Sequence, residues 1–130
     1  MMRSLRYGYW WLAGGVLLVG GVLYSTLTPP RGGLHSLGLD DKSAHFLAFA
    51  LLMGWFSGVY RPKWLPLIAI LLVGLGIGIE FLQGYLTYRS AEVADALFDF
   101  AGILVAWVVV AAGFGGWAEF IEARLPATDT

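Results

Sequence analysis

The spacing of charged residues constrains this fold most, because it leaves four long stretches almost free of charge. A transmembrane helix needs about 20 predominantly apolar residues. The stretches are residues 7–30, 43–60, 64–88 and 100–118, and within them the only acidic, basic or imidazole side chains are His45 and Glu80. The pattern predicts four membrane spans, at about 9–27, 42–59, 64–86 and 94–114.

The composition is typical of an integral membrane protein. Hydrophobic residues make up 58% of the 130 residues and charged residues only 13%, whereas soluble domains average about 25% charged. We therefore expect a single all-α domain over residues 1–130, an integral membrane four-helix bundle with short loops. The net charge of -1 and the lack of a Lys/Arg run argue against a nucleic-acid partner.

The distribution of Lys and Arg predicts the orientation of the spans. Short cytoplasmic loops carry an excess of these residues. Five of them fall on one side of the predicted bundle: Arg3, Arg6, Arg61, Lys63 and Arg124. We expect a multi-pass protein with both termini in the cytoplasm.

Polar residues of three spans should meet at the opposite, outer end. Span 2 enters there, span 3 arrives there, and span 4 leaves from there. Residues three or four apart share a helix face, so each span has one polar face. The predicted ligand-binding or buried polar cluster comprises Asp41, Lys42, His45, Glu80, Gln83, Arg89, Asp95 and Asp99. A buried arrangement would match the carboxylates against Lys42, Arg89 and His45.

Simpler interpretations compete for several of these residues. Asp40 and Asp41 precede an apolar run, so they could cap the helix that follows. Glu80 lies late in span 3, where the helix dipole disfavours a negative charge, so capping does not explain it. Zinc sites usually combine several His and Cys ligands; this chain has two histidines, His35 and His45, and no cysteine. We expect neither a metal nor another cofactor.

Small residues and the C-terminal segment suggest packing surfaces. Gly74 and Gly78 form a GxxxG pair of the kind that lets helices approach closely, and Gly102 lies on the polar face of span 4. After span 4, a short amphipathic tail could lie on the inner membrane surface. A plain helix end explains the tail equally well.

The polar residues also carry a resemblance to a known family. The stretches "DKSAHFLAF" and "IEFLQGYLTYRSAEVADALFDFAGILVAW" resemble the VanZ-like family of small integral membrane proteins. That family's pattern is Asp-Lys with His three residues later, Glu-x-x-Gln, an Arg, and Asp-x-x-x-Asn-x-x-Gly. Asp99 stands here at the Asn position. The resemblance implies the bacterial inner membrane and a link to glycopeptide antibiotic resistance.

Three functions fit these observations. The first is a pocket that binds a polar or anionic envelope component, either a lipid headgroup or a cell-wall precursor. The second is a non-catalytic accessory or assembly subunit packed in a larger membrane complex. The sequence leaves open whether the chain associates with such a complex or with copies of itself as a homo-oligomer. The third is a proton-linked permease. No catalytic residue is predicted, because Ser43 and Ser90 have no spacing that specifies a base, and a non-catalytic role is favoured.

Overall fold

In its described residues the chain forms four long α-helices and one short α-helix. A computed structural model describes residues 1–29 and 33–126; the tip of the first loop and residues 127–130 of the predicted tail lie outside them. Within the described residues the structure is helical, with one isolated bridge and no strand. The α-helices are α1 (Gly8–Leu27), α2 (Asp41–Val59), α3 (Leu65–Gln83), α4 (Val93–Val109) and α5 (Trp117–Glu122).

The four long helices agree closely with the predicted spans. Differences are confined to the ends: α3 ends at Gln83 rather than at residue 86, and α4 continues through one π-helical turn, Val110–Phe114. The predicted aspartate cap is present at Asp40, whose carboxylate accepts the Ser43 N–H at 3.3 Å. That hydrogen bond holds the pKa of Asp40 below its ordinary value.

Three segments are long and apolar enough to cross a membrane: Gly8–Leu27, Pro62–Gln83 and Val93–Phe114. These confirm a multi-pass membrane protein. Helix α2 is not among them, since its first turns carry Asp41, Lys42 and His45. Its 19 residues nevertheless extend about 28 Å at 1.5 Å per residue, close to the roughly 30 Å thickness of the hydrocarbon core. The fourth span therefore remains a prediction.

Helix α2 lies at the centre of the bundle, which explains its lower hydropathy. Its buried residues include Phe49, Leu52 and Met53, each 0% exposed, and it packs most extensively against α4. Gly102 permits this packing, because a Cβ at that position would collide with the Phe46 carbonyl oxygen. A helix shielded by its neighbours contacts little lipid, so it can carry polar residues that an isolated span could not.

The predicted glycine pair on α3 does not make such a contact. A Cβ at Gly74 or Gly78 would meet no atom within 4 Å among the described residues. This surface of α3 is open within the chain, so packing through the pair remains a prediction about another molecule.

Residues 1–7, 60–64 and 115–126 meet at one end of the bundle, which we call the Glu122 end. The backbone of Arg3 donates to Val59 O at 2.9 Å, and Met2 forms a bridge with Tyr60. Gly113 and Gly116 adopt positive φ angles of 116° and 74°, a conformation that glycine reaches without steric cost. They turn the chain so that α5 folds back beneath the bundle.

The Glu122 carboxylate links α5 to the start of α1. Its oxygens accept the Arg6 N–H at 2.6 Å, the Tyr7 N–H at 2.9 Å and the Trp11 indole N–H at 2.7 Å. Arg3 pairs with Glu119 at 2.8 Å. The polar face of the predicted amphipathic tail is thus turned towards the protein, while Phe120 is 60% exposed.

Three tryptophans form a cluster above this junction. Ring centroids of Trp11, Trp55 and Trp117 lie 5.2 to 5.8 Å apart. The indole N–H of Trp55 donates to Trp11 O at 3.0 Å, and that of Trp117 donates to Gly54 O at 2.8 Å. Aromatic packing and hydrogen bonding therefore fix α1, α2 and α5 together.

Candidate functional site

The polar residues of α2, α3 and α4 converge at the opposite end, which we call the His45 end. His45 Nδ1 lies 2.8 Å from Asp99 Oδ1 and 4.0 Å from Glu80 Oε1. The side chains of His45, Asp99 and Glu80 are 1%, 2% and 12% exposed. One imidazole and two carboxylates therefore meet inside the bundle, each from a different helix.

A second carboxylate pair approaches the same imidazole. Donor atoms of Asp41, His45 and Asp95 lie within 4.8 Å of one another, as do those of His45, Glu80 and Asp99. Asp95 is only 1% exposed. His45 thus lies within reach of four carboxylates, which we call the His45 cluster together with it: Asp41, Glu80, Asp95 and Asp99.

Several buried atoms of this cluster have no hydrogen-bond partner among the described residues. They are His45 Nε2, Glu80 Oε1, Asp95 Oδ1 and Asp99 Oδ2. A buried polar atom without a partner costs about 1 to 3 kcal/mol, more if it is charged. Such groups are uncommon in folded proteins, and four in one cluster indicate a site built for more than packing.

Arg89 lies beside the cluster but is bound to the end of α1. Its Nε donates to Thr28 O at 3.1 Å and its Nη2 to Ser25 O at 3.0 Å. Its Nη1 pairs with Asp41 at 3.0 Å. A helix leaves its last carbonyls unpaired, and a cation there complements the helix dipole. Arg89 therefore caps α1.

Gln83 and Tyr88 contribute to the same cap. Gln83 Nε2 donates to Thr26 O at 2.8 Å, and the Tyr88 hydroxyl donates to Leu27 O at 2.8 Å. We call the three donors the α1 clamp: Gln83, Tyr88 and Arg89. Gln83 and Arg89 were predicted to belong to the polar cluster. In the structure Gln83 Nε2 and two of the Arg89 nitrogens donate to carbonyls at the end of α1, and only Arg89 Nη1 reaches a cluster carboxylate, that of Asp41.

Lys42 forms an ion pair on the surface of this end. Its Nζ lies 3.2 Å from Glu92 Oε2, with the two side chains 41% and 49% exposed. The Glu92 backbone N–H in turn donates to Glu80 Oε2 at 3.0 Å. Within the predicted cluster, Arg89 pairs with Asp41 and His45 contacts Asp99. Lys42 instead pairs on the surface with Glu92, a residue outside the predicted cluster.

Sequence reasoning missed three contributors to this end. His35 Nε2 lies 3.1 Å from Asp41 Oδ1, although His35 was not part of the predicted cluster. Tyr88 and Glu92 were also absent from the predicted cluster. The closeness of His35 in sequence to "LDD" could have indicated a contact with Asp41. The contacts of Tyr88 and Arg89 could not be foreseen, because their acceptors are backbone carbonyls, which no residue type in the sequence identifies.

A cavity of about 250 Å³ opens between α1 and α2 and reaches the cluster. We call it the α1–α2 cavity. Apolar side chains form most of its wall, including Leu17, Leu18 and Leu51, while His35, Asp41 and His45 lie at one end. The cavity thus joins an apolar flank to a polar tip.

The fold and the site together define a class: a multi-pass helical membrane protein that buries an ionisable cluster at one end of its bundle. Residues 16–114 match the sequence model of the VanZ/LLP1 family, which is more than half of the 130-residue chain. The chain therefore belongs to the VanZ/LLP1 family. No curated protein and no solved structure shows a significant match to it.

Proposed function

We propose that the protein binds an envelope lipid in the α1–α2 cavity, with the headgroup at the polar tip and an acyl chain along the apolar flank. The two-part wall of the cavity carries this proposal. An apolar surface of Leu17, Leu18 and Leu51 leads directly to His35, Asp41 and His45. This order of surfaces matches an amphiphile lying in a bilayer.

The cavity size suits part of a lipid. Pockets for whole drug-sized ligands have volumes of about 300 to 1,000 Å³, and the cavity measures about 250 Å³. It can hold a headgroup fragment and the first part of a chain, while the remaining hydrocarbon stays in the bilayer.

The charges at the tip favour a headgroup rich in hydroxyl or amine groups. Asp41 contributes an acceptor, and the imidazoles of His35 and His45 can donate or accept. Arg89 is already bound to Asp41 and to the end of α1. An anionic group on the same ligand would instead be met by Lys42, the residue after Asp41, whose side chain is 41% exposed.

Filling the cavity provides the direct test. A Cβ at Gly21, which lines the cavity, would meet no atom within 4 Å, so the side chain of Gly21→Leu has room to start there and should extend into the cavity. Gly20 is equally open but does not line the cavity, so Gly20→Leu is the matched control. Native mass spectrometry of each protein in a mild detergent would identify bound lipids.

We expect wild type and Gly20→Leu to retain the same lipid, and Gly21→Leu to lose most of it. Asp41→Asn should change which headgroup is retained. Equal retention by both leucine variants would contradict binding in this cavity. If the retained lipid carries a cell-wall precursor, glycopeptide susceptibility of cells expressing Gly21→Leu would test a resistance role.

The open surface around Gly74 and Gly78 favours the accessory-subunit function as a second candidate. Closely spaced glycines at which an added Cβ would meet no atom of the described residues are suited to packing against a helix of another protein. A stoichiometric protein partner, retained by Gly21→Leu and lost on Gly74→Ile, would support this function instead.

A further inference from the structure

We propose that His45, Glu80 and Asp99 bind a divalent transition-metal ion within the bundle, an inference that goes beyond the lipid-binding proposal. Their donor atoms lie within 4.8 Å of one another. Each comes from a different long helix, so an ion here would link α2, α3 and α4.

The unpartnered buried atoms provide an observation independent of this grouping. Asp99 is 2% exposed, and while its Oδ1 lies 2.8 Å from His45 Nδ1, its Oδ2 has no partner among the described residues. Glu80 Oε1, the atom 4.0 Å from the imidazole, likewise has none. Glu80 and Asp99 thus each keep one buried oxygen that no donor of the described residues meets.

The electrostatics of the cluster also favour a cation. Burying ionised carboxylates is costly unless a positive charge compensates them. The nearby Arg89 and Lys42 are paired with Asp41 and Glu92. A divalent ion would neutralise Glu80 and Asp99 together, replacing the proton on the imidazole nitrogen that faces them.

A backbone hydrogen bond from outside the cluster already orients one of these ligands, Glu80. Glu80 Oε2 accepts the Glu92 backbone N–H at 3.0 Å, which leaves Oε1 free to coordinate. Hydrogen bonds of this kind orient metal ligands and fix their geometry. Gly76 makes room for the other carboxylate, since a Cβ there would lie 2.7 Å from Asp99 Oδ2.

The donor set indicates the type of ion. Histidine is the commonest metal ligand, and imidazole with carboxylate suits zinc and similar first-row ions, whereas magnesium prefers oxygen ligands and water. Three protein ligands resemble an open zinc site with one further position. Asp95 or water could complete it. The expectation of no metal rested on the small number of His and Cys residues available beside these carboxylates.

The test is zinc binding by the purified full-length protein in mild detergent. After treatment with a chelator and its removal, Zn²⁺ is added, excess is removed by gel filtration, and bound zinc is measured by elemental analysis. We expect one equivalent per chain and an increase in thermal unfolding temperature of about 5 °C or more, because an ion that binds only the folded state stabilises it. Mg²⁺ at the same concentration should produce neither effect.

Glu80→Gln and Asp99→Asn keep the side-chain shape and remove one anionic ligand, so each should weaken zinc binding at least tenfold. Asp40→Asn removes an exposed acid at the same end, keeps a residue that can cap α2, and should leave binding unchanged. Fluorescence of the distant Trp11, Trp55 and Trp117 cluster reports whether each variant is folded.

Several outcomes would overturn the proposal. Wild type that binds no zinc, or folded Glu80→Gln and Asp99→Asn proteins that bind it as wild type does, would show that the cluster shares protons only. Loss of binding in His35→Ala with full binding in Glu80→Gln would place the ion at His35 and Asp41. Equal stabilisation by Mg²⁺ would argue against an imidazole ligand.

Discussion

The two ends of the bundle use buried acidic groups in opposite ways. At the Glu122 end, one carboxylate accepts three N–H groups within 2.6 to 2.9 Å. At the His45 end, Glu80, Asp95 and Asp99 each retain a buried oxygen with no partner in the described part of the chain. The same chemical group is satisfied in one place and left available in the other.

This difference suggests that the acidic group at the Glu122 end serves stability and that those at the His45 end serve function. A satisfied carboxylate such as Glu122 contributes to folding, and its removal leaves donors without acceptors. Unsatisfied carboxylates reduce stability, and natural proteins accept such violations mainly at functional sites. Mutations at the two ends should therefore have opposite consequences for stability.

The largest effect is expected for Glu122→Ala. Truncation leaves the backbone N–H groups of Arg6 and Tyr7 and the Trp11 indole without their acceptor, so the free energy of unfolding should fall by about 3 kcal/mol. Denaturant titration in detergent, followed by tryptophan fluorescence, measures the change. Glu122→Gln retains one acceptor oxygen and should lose less. An alanine variant as stable as wild type would remove the contrast between the ends.

The next prediction compares the loss of stability on replacing one glycine from each end of the bundle with alanine. A Cβ at Gly58 would collide with the Trp117 indole, which is held by its hydrogen bond to Gly54 O, so Gly58→Ala should cost about 1 to 3 kcal/mol. Gly76→Ala would meet Asp99 Oδ2, an unpartnered atom at the end of a side chain. We expect it to cost less stability and to weaken zinc binding; the reverse order would contradict the comparison.

Acid should weaken the Glu122 end. Burial raises the pKa of Glu122. The N–H donors of Tyr7, Trp11 and Arg6 and the charge of Arg6 lower the pKa by more than burial raises it, so the pKa lies below its ordinary value. The folded state then binds this proton less readily than the unfolded state. The stabilisation is complete above the unfolded pKa of about 4.3 and is lost as pH falls through the folded pKa.

Thermal unfolding of wild type and Glu122→Gln between about pH 6 and pH 3 measures this contribution, because the glutamine cannot titrate. We expect the stability difference between the two proteins to shrink as the pH falls. A constant difference would show that the carboxylate charge is not responsible.

The smallest effect should be a gain at the His45 end. Asp95 is 1% exposed, and its Oδ1 has no partner among the described residues, so Asp95→Asn keeps the shape of the side chain while removing a buried ionisable group. We expect stability to be unchanged or to rise by about 1 kcal/mol. The matched Asp41→Asn breaks the pair with Arg89 and should destabilise. A loss above about 2 kcal/mol for Asp95→Asn would assign that carboxylate to folding.

The helices could be predicted because they depend on local sequence. Charge-free stretches of membrane length locate α1 to α4 within a few residues, and the three most apolar segments satisfy the same criteria in the structure. The docking of α5 could not be predicted in this way. It depends on hydrogen bonds from the backbone N–H groups of residues 6 and 7 to Glu122. Nearly every residue has a backbone N–H group, so the sequence does not show which of them Glu122 accepts.

The sequence predicted which residues gather at the candidate site but not how they are arranged. Alternating spans and helical spacing bring His45, Glu80 and Asp99 to one end, where the structure also places them. The same reasoning could not show that Arg89 and Gln83 are occupied by α1 carbonyls, or that the cavity opens between α1 and α2. These features depend on helix packing and on the rotation of each helix, which polar faces alone do not fix.

The α1 clamp has a consequence for the order in which the protein is made. Thr28 and Arg89 are separated by 61 positions, so the ribosome completes α1 well before Arg89 is synthesised. Hydrocarbon cannot satisfy backbone carbonyls, so the last carbonyls of α1 must stay hydrated at the membrane surface until α3 has been inserted. Assembly of this end therefore waits for the third helix, and a chain interrupted before residue 89 would leave α1 without its cap.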